Sequence, residues 1–131
     1  MSRPRLLIVD DDRDIAAFMG HVGASAGHDV ATAHSAEAFK TALVEVKPAV
    51  IILDLTMPDT DGIELPHYLA EARPRARILI VSGYDEGIRR MAHDIGAARG
   101  LDMAGVVAKP VGAAELRAML EQVRLELRPP Q

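Results

Sequence analysis

The sequence predicts a single α/β domain in which helices cover both faces of a parallel β-sheet. Five short apolar segments alternate with five segments of helical periodicity. Three of the apolar segments contain almost no polar residue, which is typical of strands buried on both faces. This alternation favours a parallel sheet with right-handed crossovers, and 131 residues are a usual length for one domain.

The five predicted strands are followed by polar residues. The second strand is partly alternating and is predicted to have one face in water, whereas the third is wholly apolar. The predicted strands are Leu6–Val9, Asp29–Ala33, Val50–Leu53, Ile78–Val81 and Gly105–Ala108. Ligands of parallel sheets bind outside the carboxyl ends of the strands, so the polar residues that follow the strands are candidates for a site.

The helices between the strands have recognisable ends and apolar faces. Asp12 is predicted to cap the first helix and Ser35 the second, and Gly27 suits the end of the first. Gly62 is predicted to open the third helix. The residues predicted to face the core are Ile15, Phe18, Met19, Val22, Ala26, Ala36, Phe39, Leu43, Val46, Ile63, Leu65, Leu69, Ala72, Ile88, Met91, Ile95, Leu116, Met119, Leu120, Val123 and Leu127.

Composition and charge exclude several classes of function. The net charge of −4 argues against a general nucleic-acid-binding protein, and the absence of cysteine excludes disulfides and cysteine-ligated metals. No apolar segment approaches the ~20 residues of a membrane helix, and the N-terminus does not resemble a signal peptide. We therefore expect a cytoplasmic protein that binds neither membranes nor nucleic acid directly.

Five polar residues come together at the predicted strand ends. They are Asp10 and Asp11 after the first strand, Asp54 after the third, Ser82 after the fourth and Lys109 after the fifth. Neighbouring carboxylates repel, so the set requires a cation or raised pKa values, and all-oxygen ligands are typical of Mg²⁺. Asp54 is then a candidate nucleophile towards phosphorus, with Lys109 and Ser82 on the phosphoryl oxygens.

The motifs around these residues resemble those of the receiver domain of two-component response regulators. The motifs are Ile8–Asp11, Asp54–Gly62, Val81–Gly83 and Lys109–Pro110. Their order fits the predicted strands, and the resemblance covers essentially the whole chain. It implies a flavodoxin-like, doubly wound sheet of strand order 2-1-3-4-5. It also implies a receiver domain over residues 1–128, with 129–131 as a tail or the start of a linker.

The resemblance implies a role for each site residue. Asp54 accepts phosphate from a sensor histidine kinase or a histidine phosphotransfer protein. Ser82 and Lys109 contact the phosphoryl group, and the peptide bond before Pro110 is expected to be cis. The implied Mg²⁺ ligands are Asp10, Asp11, Asp54 and the backbone carbonyl of Thr56.

The sequence departs from the family pattern at two places. Receiver domains usually have an aromatic residue three positions before the lysine, where this chain has Val106; Tyr84 is a candidate substitute. The segment from Ser82 to Lys109 is a few residues longer than usual, and Gly100–Gly105 is predicted to hold the extra length. Both departures lie in the face made by helix 4, strand 5 and helix 5, through which we also consider a homodimer.

Three functions are compatible with these residues. The first is a phosphoacceptor that catalyses only its own phosphorylation and dephosphorylation. The second is an aspartyl-phosphate phosphatase, which would need an acid two residues after the nucleophile, where this chain has Thr56. The third is a pseudo-receiver that binds a partner without phosphorylation. No effector domain is visible after Lys109, so we expect output by protein contact or through a further domain.

The remaining titratable residues are predicted to have structural roles. The histidines, none of which shows metal-binding spacing, are expected to be surface or half-buried. They are His21, His28, His34, His67 and His93. The arginines 73, 75 and 77 are expected to form a solvated face.

Overall fold

The structure is a computed structural model that describes residues 3–55, 64–72, 74–83 and 86–127. Its elements are β1 (Arg5–Val9), α1 (Arg13–Ser25), β2 (Asp29–Ala33), α2 (Ala36–Val46), β3 (Val50–Asp54), α3 (Glu64–Ala72), β4 (Arg77–Ser82), α4 (Glu86–Ala98), β5 (Asp102–Ala108) and α5 (Ala113–Glu126). The residues singled out in the sequence that lie outside the described ranges are Thr56, Gly62, Ile63, Arg73, Tyr84 and 129–131. No described helix has the length and apolar character that crossing a membrane would require.

The five strands form one parallel sheet in the order β2-β1-β3-β4-β5. The predicted fold class and strand order are therefore confirmed. Because successive side chains of a strand point to opposite faces, each central strand contributes to two cores. Leu7 and Ile51 pack in the core under α2, α3 and α4, and Leu6 and Ile52 pack in the core under α1 and α5. We call the edge where the strands end the carboxyl edge, and the opposite edge the amino edge.

The first two helices begin at the predicted caps. The Asp12 carboxylate accepts hydrogen bonds from the N–H groups of Asp14 and Ile15 at 3.0 and 3.1 Å. The Ser35 hydroxyl accepts one from the N–H of Ala38 at 3.0 Å. Both caps satisfy N–H groups that have no partner within the helix. As a result, α1 starts directly after the acidic segment that follows β1.

Small residues allow α1 and α4 to approach the sheet closely. A Cβ atom at Gly23 would lie 2.6 Å from the Leu6 side chain, and one at Gly96 would lie 2.7 Å from the sulfur of Met103. The faces that carry these glycines are therefore turned towards the strands. The side chains of Ile63 and Leu65 lie outside the described part of the chain; among the other residues predicted to face the core, three are exposed instead: Phe18, Ala72 and Met91.

β5 is longer than predicted and contains a bulge. It begins three residues before the predicted start. Ile78 pairs with Met103, but the next residue, Leu79, pairs with Gly105. Ala104 is thus one extra residue on β5, the pattern of a β-bulge. Part of the extra length that was expected before this strand is therefore accommodated inside it.

The amino edge corrects two predictions. The Arg77 side chain is only 20% exposed and lies 3.3 Å from Asp102 and 2.5 Å from Glu126, so it is ion-paired rather than freely solvated. His28 is buried, with 1% of its surface exposed, and its Nε2 lies 3.0 Å from the carbonyl oxygen of Leu120 on α5. The positions of both side chains result from tertiary packing, which local periodicity in the sequence does not encode.

Candidate functional site

The carboxyl edge carries the predicted site residues. β1 and β3 are neighbours in register, so Asp10, directly after β1, lies beside Asp54, the last residue of β3. Ser82 is the last residue of β4 and Lys109 follows β5. Asp10, Asp54 and Ser82 are fully buried. The parallel order of the strands thus brings together residues that are widely separated in sequence.

Three carboxylates form a cluster at this edge. One oxygen from each of Asp10, Asp11 and Asp54 lies within 4.8 Å of the others. Asp11 is exposed, whereas the other two are buried. Three like charges at this distance repel unless a cation is close. The cluster is therefore buried on one side and open to solvent at Asp11.

Lys109 is the cation nearest to the buried acids among the described residues. Its Nζ lies 3.0 Å from Oδ2 of Asp10 and 3.3 Å from Oδ2 of Asp54. The backbone N–H of Lys109 donates to the carbonyl of Ser82 at 2.9 Å, and its peptide bond to Pro110 is cis. One ammonium does not neutralise three carboxylates, so the oxygen cluster fits a hard divalent cation such as Mg²⁺.

Burial and neighbouring charges shift two pKa values at this edge. Burial raises the pKa of the Asp10 carboxyl and the charge of Asp54 raises it further, against the lowering effects of the Asp12 N–H and Lys109. Burial lowers the pKa of Lys109, but Asp10 and Asp54 outweigh burial and raise it overall. The ammonium therefore remains charged at neutral pH, and ionisation of the Asp10 carboxyl costs more than it does in water.

Several groups fix the position of Asp10. Its N–H donates to the carbonyl of Ala33 at 3.1 Å, and its Oδ1 accepts from the Asp12 N–H at 3.0 Å. The imidazole Nδ1 of His34 lies 3.1 Å from the Asp10 carbonyl oxygen. Sequence patterns predicted no site role for His34, because no local motif reports a contact across 24 positions. The one available signal is that His34 follows β2, which pairs with β1.

Val106 lies next to an open groove between α4 and β5. Its side chain is half-buried and packs against the core under α2, α3 and α4. The groove has a volume of about 500 Å³, and its lining includes Arg89, Arg90 and His93 of α4 and Gly105, Val106 and Ala108 of β5. A small aliphatic side chain therefore stands beside open space at the position where the resemblance predicts an aromatic one.

Sequence comparisons identify relatives over most of the chain. A family model described as the response regulator receiver domain matches residues 6–121. The alkaline phosphatase synthesis transcriptional regulatory protein PhoP of Bacillus subtilis is 31% identical over 120 residues, which are 91% of this chain and 48% of PhoP. The transcriptional regulatory protein PrrA of Mycobacterium leprae is 33% identical over 122 residues, 92% of this chain and 50% of PrrA. The chain thus spans about half the length of these curated relatives.

Solved structures have the same fold. A response regulator from Colwellia psychrerythraea superposes with a TM-score of 0.82 at 31% identity, covering 96% of this chain and all of that one. A response regulator signal receiver domain from Bermanella marisrubri superposes with a TM-score of 0.77 at 28% identity, covering 94% and 98% of the two chains. The similarity therefore extends over nearly all of both chains in each comparison.

Proposed function

Because the chain belongs to the response regulator receiver domain family, we propose that Asp54 accepts a phosphoryl group from a phosphohistidine in two-component or phosphorelay signalling. The proposed donor is a sensor histidine kinase or a histidine phosphotransfer protein. One observation carries the proposal: Asp54 is fully buried at the end of β3, 3.3 Å from the Lys109 ammonium. Two further carboxylates lie within 4.8 Å of its own.

The proposed reaction transfers phosphorus from nitrogen to oxygen. A carboxylate oxygen of Asp54 attacks the phosphorus in line with the bond to the donor imidazole. The O–P bond forms, the P–N bond breaks, and its electron pair remains on the imidazole nitrogen. The Lys109 ammonium, already beside Asp54, turns to the phosphoryl oxygens, and the Ser82 hydroxyl donates a hydrogen bond to one of them.

Asp10, Asp11 and Asp54 are the described residues that would hold Mg²⁺, and we assign the backbone carbonyl of Thr56 to the same set. The separations of at most 4.8 Å among the carboxylate oxygens of Asp10, Asp11 and Asp54 suit a cation that takes a few carboxylates and keeps open positions for phosphate. When bound, Mg²⁺ supplies positive charge to the phosphoryl oxygens. Asp10 and Asp11, which we call the acid pair, would hold that charge next to Asp54.

Phosphorylation would change the charge at the carboxyl edge. It adds about two negative charges and three strong acceptor oxygens, next to Ser82 and the end of β4. We propose that the protein-contact surface of α4, β5 and α5 responds, with homodimer formation through this surface as one output. Val106 replaces the usual aromatic side chain, so the response here does not use rotation of a ring in β5.

The proposed catalysis is limited to Asp54. The chain catalyses its own phosphorylation and dephosphorylation and no other reaction. The described residues work by contact with proteins in the cytoplasm, and the proposed domain covers residues 1–128. The curated relatives are about twice as long as this chain, and the output of such longer proteins is not assigned to it.

The decisive experiment is the intact mass of the protein after incubation with acetyl phosphate and Mg²⁺. We expect a gain of about 80 Da that is labile in alkali, as an acyl phosphate is. The gain should be absent in Asp54→Asn and when EDTA replaces Mg²⁺. Labelling that persists in Asp54→Asn would place the phosphate elsewhere and would overturn the proposal.

A pseudo-receiver is the second candidate, because Val106 departs from the pattern of switching receivers. It predicts neither phosphate incorporation nor a beryllofluoride complex at Asp54. Rapid hydrolysis of an acyl phosphate would also leave the mass unchanged, but it would still allow the beryllofluoride complex to form. Turnover of a simple phosphate ester would instead support the phosphatase alternative. That alternative requires a second acid two residues after Asp54, where this chain has Thr56.

A further inference from the structure

We propose that His34 is a positioning residue for the acid pair and sets the affinity of this site for its divalent cation. The proposal rests on the proposed function only in taking Asp10 and Asp11 as cation ligands. It starts from the contact between His34 Nδ1 and the Asp10 carbonyl oxygen at 3.1 Å. A carbonyl only accepts hydrogen bonds, so Nδ1 must carry the proton.

The environment of His34 supports the Nδ1–H form of the ring. In a neutral imidazole with Nδ1 protonated, Nε2 is an acceptor. The Thr32 hydroxyl lies 3.5 Å from Nε2, close enough for a weak hydrogen bond in which the hydroxyl donates. His34 is half-buried directly after β2, and its ring lies between Thr32 of that strand and the Asp10 carbonyl that follows β1.

The bond acts on both ligands because it holds the peptide group between them. The Asp10 carbonyl and the Asp11 N–H belong to one planar unit, so fixing the carbonyl fixes the plane that joins the two residues. The Asp10 side chain is also held by the Asp12 N–H at 3.0 Å and by Lys109 at 3.0 Å. Its own N–H is anchored on the neighbouring strand.

The exposed ligand depends most on this plane. Within the described residues, the Asp11 carboxylate makes no hydrogen bond or ion pair with another side chain. Its direction depends on the backbone from which it projects, and the carbonyl that precedes it is tied to His34, directly after β2. Without the imidazole, the peptide group could rotate and carry Asp11 away from the cluster, in which the three oxygens lie within 4.8 Å.

Two substitutions at this position separate the hydrogen bond from the volume of the ring. His34→Leu fills a similar space without a donor. His34→Asn places an amide N–H on the atom bonded to Cγ, where Nδ1 stands in histidine, and should restore the bond. His21→Leu, an exposed histidine of α1, controls for the loss of an imidazole elsewhere.

The measurement is Mn²⁺ affinity from the free-ion EPR signal, repeated with Mg²⁺ as competitor, at a temperature where every variant is folded. Loss of one positioning hydrogen bond should weaken binding about three- to tenfold in His34→Leu. His34→Asn and His21→Leu should stay within about twofold of the wild type. The rate of acetyl phosphate labelling in His34→Leu should fall at limiting Mg²⁺ and recover at saturating Mg²⁺.

The outcomes distinguish this proposal from the proposed function. Equal Mn²⁺ affinity in His34→Leu and the wild type overturns the positioning role of His34. An equal loss of affinity in His34→Leu and His34→Asn also overturns it. A purely structural His34 would lower the metal-free melting temperature and leave the affinity of the folded protein unchanged. A wild-type chain that binds no Mn²⁺ would overturn the proposed metal site together with this inference, whereas equal affinities overturn the inference alone.

Discussion

At the carboxyl edge of the sheet, Asp10 and Asp54 are fully buried beside the Lys109 ammonium. At the amino edge, the cation Arg77 lies between Asp102 and Glu126, whose side chains are 62% and 46% exposed. Water and salt screen the repulsion between the exposed acids, but they have little access to the buried pair. The carboxyl edge therefore carries unfavourable electrostatic energy that a cation can relieve, while the amino edge does not.

The largest effect should come from removing the cation at the carboxyl edge. Lys109→Met leaves two buried carboxylates without their counter-ion, so we expect the free energy of unfolding at pH 7 without Mg²⁺ to fall by about 2–4 kcal/mol. Urea denaturation followed by circular dichroism measures this. Adding Asp10→Asn should recover part of the loss, because it removes one of the repelling charges. A double variant no more stable than Lys109→Met would argue against electrostatic repulsion as the cause.

The same variant should show a defined pH dependence. Burial raises the pKa of Asp10 above 3.8, and loss of Lys109 should raise it further. A carboxyl whose pKa is higher in the folded than in the unfolded chain stabilises the fold at a pH below its unfolded-state pKa. This stabilisation is lost as the pH rises through its folded-state pKa. The stability difference between Lys109→Met and the wild type should therefore shrink as the pH is lowered from 7 towards 4. A difference that is constant over this range would contradict the explanation.

The sequence was sufficient to predict the edge with buried charges and insufficient for the other. Asp10, Asp54 and Lys109 each follow an apolar strand, and the parallel order alone places them together. Arg77 and Glu126 are 49 positions apart, and no periodicity reports that the end of α5 returns to the start of β4. Long-range pairs of this kind require the packed structure.

The helix faces show a second limit of sequence patterns. Apolar periodicity placed Phe18 and Met91 in the core, but both are exposed, at 38% and 47%. Gly23 and Gly96 set how closely α1 and α4 approach the sheet. A hydrophobicity pattern does not identify these glycines as core-facing, because they have no side chain. The bulge at Ala104 has the same character, because an extra residue in a strand becomes visible only when its partner strand is known.

A smaller effect is expected at the amino edge. Arg77→Met removes two ion pairs to carboxylates that are largely in water, so the free energy of unfolding should fall by about 1 kcal/mol. Part of this loss should disappear in 1 M NaCl, which screens the pairs in the wild type. Arg75→Met, at an exposed position two residues earlier, is the matched control. A loss as large as that of Lys109→Met would remove the distinction between the two edges.

The smallest effect concerns His28, the buried titratable group of the amino edge. Burial lowers its pKa from 6.5 and the charges of Arg124 and Arg3 lower it further, although the bond to the Leu120 carbonyl acts in the opposite direction. Within the described residues, its Nδ1 has no hydrogen-bond partner. The ring therefore fits its site as a neutral group, and protonation places an uncompensated charge in the core.

The sign of the effect follows from this preference for the neutral ring. A histidine whose pKa is lower in the folded chain leaves the stability intact above its unfolded-state pKa of 6.5. The stability is lost as the pH falls from there through the folded-state pKa, because between these two values the unfolded chain takes up the proton more readily than the folded chain. His28→Gln keeps an amide N–H for the Leu120 carbonyl and does not titrate. Its unfolding free energy, measured in urea between pH 7.5 and 5.5, should therefore fall less than that of the wild type. If the His28→Gln and wild-type profiles are parallel, the buried imidazole does not contribute to the pH dependence of the unfolding free energy in this range, and the explanation is wrong.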